Sequence, residues 1–183
     1  GQPVFREASE DRQRLQNIFR KLMRFTAFVS FPAMLGLAIV SQELIVISIT
    51  EKWLPCVPVM QILCVWGAFM PISTLYSNLM NSIGRPNIYM WNTIALGIFQ
   101  LLCVWGSYPY GLNVMLIVYT AANIFWLLIW HYFAHKHIGI SLFNTLKDIA
   151  PYLIISVAVM TFTYWVAGYV KNIYLSLLVK IAL

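Results

Sequence analysis

The most constraining feature of this sequence is the length of its runs without charged residues. The run from Pro86 to His135 holds 50 residues with no Arg, Lys, Asp or Glu, and the run between Lys52 and Arg85 holds 32. A helix needs about 20 apolar residues to cross a bilayer. The run of 50 residues is therefore long enough for two spans, and the run of 32 residues is long enough for one. Only 10% of the chain is charged and 61% is hydrophobic, whereas ordinary soluble domains carry about 25% charged residues. The sequence therefore predicts an integral membrane protein.

The alternation of apolar runs and polar turns predicts an all-α, polytopic transmembrane helix bundle of about six spans. A basic amphipathic leader helix is expected at residues 1–24, with the bundle at residues 25–183. The expected spans lie near residues 25–48, 59–83, 88–106, 112–133, 149–168 and 173–183. Because the chain begins at Gly1 rather than Met and its sixth span is cut off, we expect it to be part of a longer protein.

The first span contains a proline near its start. Residues 25–42 are uncharged, and Pro32 lies within them. Proline removes the hydrogen bond to the residue four positions earlier, so a kink is expected there. Such a break is either a hinge for a moving helix or a feature of static packing, and the sequence leaves both readings open.

The second span carries polar side chains on one face. Thr74, Asn78 and Asn81 fall at positions i, i+4 and i+7, which lie on the same side of a helix. Polar side chains avoid lipid, so this face is expected either to line a water-filled cavity or to hydrogen bond to another helix. The third and fourth spans hold further deep polar residues: Asn92, Gln100, Thr120 and Asn123.

Three histidines near the end of the fourth span raise the question of a metal site. His131 and His135 are four residues apart, and His137 follows. Metal sites with this spacing normally add an acidic ligand, and none lies beside them, so we interpret the histidines as part of an interfacial belt. The cysteines are odd in number and scattered, which favours packing roles over a disulfide framework: Cys56, Cys64 and Cys103. Neither a metal nor a cofactor is expected.

One lysine falls at an unusual depth. Lys180 follows Lys171 by nine residues, which is roughly 13 Å along a helix axis. If Lys171 marks the interface, Lys180 lies within the hydrocarbon, where a charge indicates a functional site or an ion pair. If the span starts later, Lys180 reaches the interface along its flexible stem. Both alternatives stay open.

The distribution of basic residues predicts the orientation of the bundle. Nine of the twelve basic residues fall in residues 1–24, the turn at residues 84–87 and the loop at residues 135–148. These segments are expected on one side of the membrane, and by the positive-inside rule that side is cytoplasmic. In a chain this apolar, the net charge of +6 indicates membrane topology and does not predict a nucleic-acid partner.

No arrangement of residues that is typical of an enzyme active site is evident in the sequence. Glu43, Glu51 and Asp148 are the only acidic residues after the leader, and they fall at expected helix ends rather than in pairs on one face. The chain also lacks a phosphate-binding glycine loop and a nucleophile with a positioned base. A bundle with proline breaks and polar intramembrane faces is instead typical of a transporter or a scaffold.

The order of several short motifs resembles a known family. The leader reads Asp-Arg-Gln-Arg-Leu, residues 31–37 read Phe-Pro-Ala-Met-Leu-Gly-Leu, and residues 83–87 read Ile-Gly-Arg-Pro-Asn. Further motifs are Glu-Lys-Trp at 51–53, Leu-Lys-Asp-Ile-Ala-Pro at 146–151 and Val-Lys-Ile at 179–181. In this succession the chain resembles the C-terminal half of the Wzx-type polysaccharide flippases, which are members of the multidrug/oligosaccharidyl-lipid/polysaccharide exporter superfamily.

The resemblance implies a bacterial inner-membrane protein of roughly twelve to fourteen helices in two lobes. It implies that the protein moves a polyprenyl-pyrophosphate-linked oligosaccharide between leaflets for O-antigen, capsule or exopolysaccharide assembly, and that Pro32 serves as a hinge. The implied partners are the lipid bilayer, the lipid-linked oligosaccharide, an N-terminal half of the same chain and the polysaccharide polymerase machinery. Two alternatives remain: a drug or ion antiporter of the same superfamily, and a membrane-embedded enzyme of polyprenyl-linked glycan metabolism.

The same resemblance suggests roles for individual residues. A sugar chain needs a hydrogen-bonding path, and its pyrophosphate needs a cation such as Arg85 or Lys180. The expected path-lining residues are Thr74, Asn78, Asn81, Asn92, Gln100 and Asn123.

Overall fold

The structure is a computed structural model that describes the backbone of residues 2–48 and 50–167 and the side chains of residues 11–48 and 50–165. All regular secondary structure in these residues is helical. The five long helices are α1 (Gln2–Ser48), α2 (Val57–Ser82), α3 (Pro86–Ser107), α4 (Leu112–Ile138) and α5 (Leu142–Ala167). Two short 3₁₀ segments, Glu51–Cys56 and Tyr108–Tyr110, precede α2 and α4.

These five helices are each long and apolar enough to cross a membrane, by length and composition. The prediction of an all-α polytopic bundle is therefore confirmed, and the chain is a multi-pass membrane protein. The sixth span expected near residues 173–183, together with Lys180, lies outside the described residues.

Helix α1 joins the expected leader and the expected first span into one helix. It has 47 residues, which at 1.5 Å per residue gives a length of roughly 70 Å. A hydrocarbon core of about 30 Å cannot enclose such a helix, so part of α1 must extend beyond it. We expect the basic residues before Phe25 to belong to the extending part, because charged side chains are costly in hydrocarbon. Pro32 lies within α1, where its side chain is exposed, and the helix continues on both sides of it.

The core forms where α1, α2 and α4 meet. Each helix contributes buried side chains at intervals of three or four residues, the spacing that keeps them on one face. The rings of Phe31 and Phe69 lie 5.2 Å apart, and those of Phe19 and Tyr76 lie 5.3 Å apart. In lipid such packing stabilises the bundle through dispersion contacts. The core stripes are Phe19, Met23, Ala27 and Phe31 in α1; Ala68, Ile72, Tyr76 and Leu79 in α2; and Trp130, Ala134 and Ile138 in α4.

Helices α1 and α2 approach each other closely near their middles. A Cβ atom added at Gly67 would lie 3.1 Å from the sulfur of Met34, so the glycine leaves room for the neighbouring side chain. One residue along, Ser30 Oγ donates a 2.8 Å hydrogen bond to the Ala68 carbonyl. Small residues and polar cross-links of this kind are typical of packed membrane helices.

The leader part of α1 packs beside the turn between α4 and α5. Gly139 ends α4 in the left-handed conformation and donates its N–H to the His135 carbonyl at 2.8 Å, as helix-ending glycines commonly do. Gln16 Nε2 donates to the Ile138 carbonyl at 2.5 Å. Two of the three basic segments that the sequence assigns to one side of the membrane are therefore in contact.

Two helix starts differ from the sequence expectation. Helix α5 begins at Leu142 rather than near residue 149, because the polar residues that suggested a loop continue helically into the apolar run. Helix α2 begins at Val57 rather than near residue 59, with Pro58 in its first turn, where proline costs no backbone hydrogen bond.

Candidate functional site

The candidate site is a groove along the polar face of α2, which we call the α2 groove. It is defined by Ser73, Thr74, Ser77, Asn78 and Asn81 of α2, with Trp66, Met70 and Tyr89 completing its wall. The polar residues fall between the core positions of the helix, so the sequence turns one face of α2 to the core and another to the groove. The groove has a volume of about 300 Å³.

The hydroxyl and amide groups in the α2 groove differ in their hydrogen bonding. Thr74 Oγ1 donates to the Met70 carbonyl at 3.1 Å, and Ser77 Oγ donates to the Ser73 carbonyl at 3.2 Å, both within the helix. The side chains of Asn78 and Asn81 are exposed and have no hydrogen-bond partner among the described residues. Each amide therefore offers two donors and an acceptor to whatever enters the groove.

Three other expected path residues, Asn92, Gln100 and Asn123, make hydrogen bonds between α3 and α4. Gln100 Nε2 donates to Asn123 Oδ1 at 2.7 Å, and Trp126 Nε1 donates to Asn92 Oδ1 at 2.8 Å. Asn123 Nδ2 also donates to the Tyr119 carbonyl at 2.8 Å. Asn92 and Asn123 are buried. We call these two contacts the α3–α4 polar pairs; they hold helices together and do not line the α2 groove.

Neither Arg85 nor the expected hinge Pro32 lines the α2 groove. Arg85 precedes α3 at its N-terminus, and its side chain is exposed. Lys180 lies outside the described residues. Pro32 is on the exposed side of α1, away from the groove. Among the described candidates, Thr74, Asn78 and Asn81 line the α2 groove together, and the others do not line it.

A buried polar contact that sequence reasoning did not find joins α2 to α4. The Tyr76 hydroxyl lies 3.1 Å from His131 Nδ1, and their rings pack edge to face. His131 was expected in an interfacial belt, but its side chain is buried between the helices. His135 and His137 instead contact backbone carbonyls, those of Ile140 and Phe133. A separation of 55 residues gives no local signal for the Tyr76 contact.

An ion-pair cluster that joins α1 to α5 was also not expected. Asp148 is buried and lies against the guanidinium groups of Arg20 and Arg24. The sequence shows these as a basic leader and a loop carboxylate, separated by more than 120 residues, with nothing to pair them. Among the described residues, no group of three or more His, Cys, Asp or Glu side chains is placed to hold a metal ion.

Comparisons with known proteins found one family model and several relatives that are similar to part of the chain. Residues 2–58 match a family model described as "Polysaccharide biosynthesis protein". Over 98 residues the chain is 33% identical to "Uncharacterized membrane protein in cps region" of Klebsiella pneumoniae and to "Lipopolysaccharide biosynthesis protein WzxC" of Escherichia coli (strain K12). It is 26% identical to "Teichuronic acid biosynthesis protein TuaB" of Bacillus subtilis (strain 168) over 98 residues.

These similarities cover part of each protein. Each aligned stretch takes in 53% of this chain and 20% of the relative, so the chain matches about a fifth of the length of these curated relatives. No solved structure matches the chain. The matches support the resemblance found in the motifs: over the stretch that they cover, the chain is similar to proteins of polysaccharide biosynthesis, among them one named WzxC.

Proposed function

We propose that the protein moves a polyprenyl-pyrophosphate-linked oligosaccharide across the bacterial inner membrane by alternating access, without covalent chemistry. The observation that carries the proposal is the α2 groove, where Asn78 and Asn81 present unpartnered amides within an apolar helix. An oligosaccharide is covered with hydroxyl groups, which lose hydrogen bonds to water when they enter a membrane. Amides on the path replace those bonds, while the polyprenyl tail stays in lipid.

The size of the α2 groove indicates one wall of a path rather than a closed binding site. Its volume of about 300 Å³ is at the lower end of small-molecule pockets, and a lipid-linked oligosaccharide is larger. In this proposal the opposite wall comes from the N-terminal half that the family resemblance implies. Bending of α1 at Pro32 then accompanies the motion of the two lobes.

The pyrophosphate of the carrier needs a cation near the membrane surface. Arg85 is exposed in the turn between α2 and α3, four residues after Asn81, which lines the α2 groove. Its planar guanidinium suits bidentate contact with phosphate oxygens. We propose that Arg85 guides the pyrophosphate while the α2 groove receives the sugars, with Lys180 as a second cation on the path.

The proposed topology places residues 1–24, the Arg85 turn and the α4–α5 turn on the cytoplasmic side, as the positive-inside rule predicts. The sugars then leave toward the outer leaflet, where polysaccharide polymerase machinery receives them. Cysteines introduced at Asn87 and Tyr110, both exposed, test this topology in whole cells. A membrane-impermeant thiol reagent applied outside is expected to label position 110 and not position 87; the reverse pattern contradicts the orientation.

The test of the function is reconstitution of the complete protein with a fluorescent polyprenyl-pyrophosphate-linked oligosaccharide. We expect the probe that starts in the inner leaflet to become accessible to an external, impermeant quencher faster in proteoliposomes than in protein-free liposomes. Equal rates in the two would contradict the proposal. Flux of a cationic dye through the same proteoliposomes, with no movement of the lipid-linked sugar, would instead favour a drug antiporter.

A further inference from the structure

A second polar pocket lies at the membrane boundary between α1 and α5, and we call it the α1–α5 pocket. It is lined by Arg20, Arg24, Asn144, Lys147, Asp148, Pro151 and Tyr152 and has a volume of about 560 Å³. None of the residues assigned above to the sugar path lines it. Arg24 directly precedes the uncharged run that starts at Phe25, so we place the pocket at the level where the hydrocarbon ends and lipid phosphates begin.

Asp148 fixes the positions of both arginines in the α1–α5 pocket. Arg20 makes two hydrogen bonds to it, from Nε to Oδ2 at 2.6 Å and from Nη2 to Oδ1 at 3.0 Å. Arg24 Nε lies 2.9 Å from Oδ1. The Asp148 side chain is 6% exposed, whereas those of Arg20 and Arg24 are 29% and 49% exposed. The carboxylate is therefore the buried support, and the guanidinium groups face outward.

The charges of this pocket do not cancel. Three cations, Arg20, Arg24 and Lys147, surround the single carboxylate of Asp148, which leaves a formal charge of +2. Arg20 already satisfies the carboxylate with two bonds, so the ion pair alone does not require Arg24 or Lys147. The remaining guanidinium nitrogens, which are Nη1 of Arg20 and both Nη atoms of Arg24, make no hydrogen bond to the described residues. The Lys147 ammonium makes none to them either. These donors are available to an anion.

From this arrangement we propose that the α1–α5 pocket binds a phosphate group. Two guanidinium planes held by one carboxylate offer several N–H donors in fixed directions, the pattern that suits phosphate oxygens. Lys147 adds a mobile ammonium, and Asn144 and Tyr152 add neutral donors at the rim. The Tyr152 ring packs edge to face on Phe28 at 5.9 Å, which holds its hydroxyl end near the boundary.

The phosphate has two possible sources that share this chemistry. One is the headgroup of an anionic bilayer lipid, because we place the pocket at the membrane boundary. The other is free phosphate or pyrophosphate from the cytoplasm. The proposal concerns phosphate recognition by these residues and does not depend on the proposed transport function, since binding is measured without any movement of sugar.

The test is isothermal titration calorimetry on the full chain, purified in a neutral detergent, with two probes: inorganic pyrophosphate and short-chain phosphatidic acid. We expect at least one probe to bind, with an affinity that falls as salt is raised. The variant Arg24→Gln/Lys147→Gln keeps the two bonds between Arg20 and Asp148 and is therefore expected to fold. We expect it to lose about ten-fold or more in affinity, because two charge-assisted contacts are removed.

The matched control is Lys136→Gln, which removes an exposed charge of the last turn of α4, outside the pocket. It is expected to leave the affinity unchanged, and the thermal unfolding midpoint in detergent checks that each variant is folded. Binding of phosphatidic acid alone assigns the site to lipid, and binding of pyrophosphate alone assigns it to a soluble anion. Absence of binding to both probes, or equal affinity in wild type and the double variant, overturns the proposal.

Discussion

The α2 groove and the α3–α4 polar pairs both contain asparagine side chains within apolar helices, yet these side chains differ in their hydrogen bonding. In the groove, Asn78 and Asn81 are exposed and have no partner among the described residues. In the pairs, Gln100 and Asn123 bind each other at 2.7 Å, and Asn92 accepts from Trp126. A buried amide that already has its partner stabilises helix contact, whereas an unpartnered amide is available to a substrate.

The difference shows what helical spacing can and cannot indicate. The i, i+4, i+7 pattern of Thr74, Asn78 and Asn81 places three polar groups on one face, but it does not say what that face meets. A helix-to-helix hydrogen bond and a cavity wall have the same sequence pattern. The partner helix decides between them, and its position follows from the packing of the whole bundle.

The largest expected effect comes from making the α2 groove apolar. The variant Asn78→Leu/Asn81→Leu removes two amides that bind nothing in the described structure, so folding is expected to be retained. If each amide contributes about 1 kcal/mol to the passage of sugar hydroxyls, flipping of the lipid-linked oligosaccharide falls by about ten-fold or more.

The control for the groove variant is Asn78→Gln/Asn81→Gln, which keeps the amides and is expected to retain most of the activity. Flipping rates are compared at equal amounts of reconstituted protein, with unfolding midpoints measured in parallel. Wild-type flipping by the leucine variant would remove the α2 groove from the path, and the difference between the two regions would then carry no functional meaning.

The next effect concerns the α3–α4 polar pairs. The variant Asn123→Leu leaves the Gln100 amide without its acceptor between two helices. We expect a loss of about 1 kcal/mol in the free energy of unfolding, measured by denaturation in mixed micelles, with the flipping rate per folded protein unchanged. A large loss of flipping in a fully stable Asn123→Leu protein would show that this residue also belongs to the path.

A smaller loss is expected at the second polar pair. The variant Asn92→Leu removes the acceptor of Trp126 Nε1, but it also removes the buried Asn92 Nδ2, which has no partner among the described side chains. The two changes oppose each other, so we expect a loss of about 0.5 kcal/mol in unfolding free energy. If Asn92→Leu lowered the free energy of unfolding by more than Asn123→Leu does under the same conditions, this ranking would be contradicted.

The smallest effect is expected at Thr74. Its hydroxyl already donates to the Met70 carbonyl of its own helix, so it offers less to a substrate than Asn78 does. The near-isosteric variant Thr74→Val is expected to change the unfolding free energy by only a few tenths of a kcal/mol and the flipping rate by less than about two-fold. A strong transport defect here would mean that the hydroxyl turns toward the groove during transport.

Much of the fold could be predicted from the sequence because uncharged runs of this length have few alternatives in a membrane. Glycine and proline at the turns, as in residues 84–86 and 109–111, then separate the helices. The polar face of α2 could be found by the same local reasoning. The continuity of α1 could not be predicted in this way. The leader is rich in Arg and Lys and the span is apolar, so their compositions suggest two separate segments although one helix contains both.

The contacts that hold the helices together could not be predicted. The pairing of Arg20 with Asp148 and of Tyr76 with His131 crosses 128 and 55 residues. In each case the separate residues have an ordinary local explanation, a basic leader or an interfacial aromatic belt. Only the packing of α1 on α5 and of α2 on α4 brings them within hydrogen-bond distance, and local sequence patterns do not indicate which helices become neighbours.

The central claim, that the α2 groove faces a water-filled path while the α3–α4 polar pairs do not, is tested most directly by thiol accessibility. Single cysteines at positions 78 and 123 are introduced into a protein whose native cysteines, Cys56, Cys64 and Cys103, have been replaced by alanine. We predict that a small hydrophilic thiol reagent modifies position 78 rapidly, that lipid-linked oligosaccharide slows this reaction, and that position 123 stays unmodified. Equal reactivity at the two positions, or no protection of position 78 by the substrate, would contradict the account.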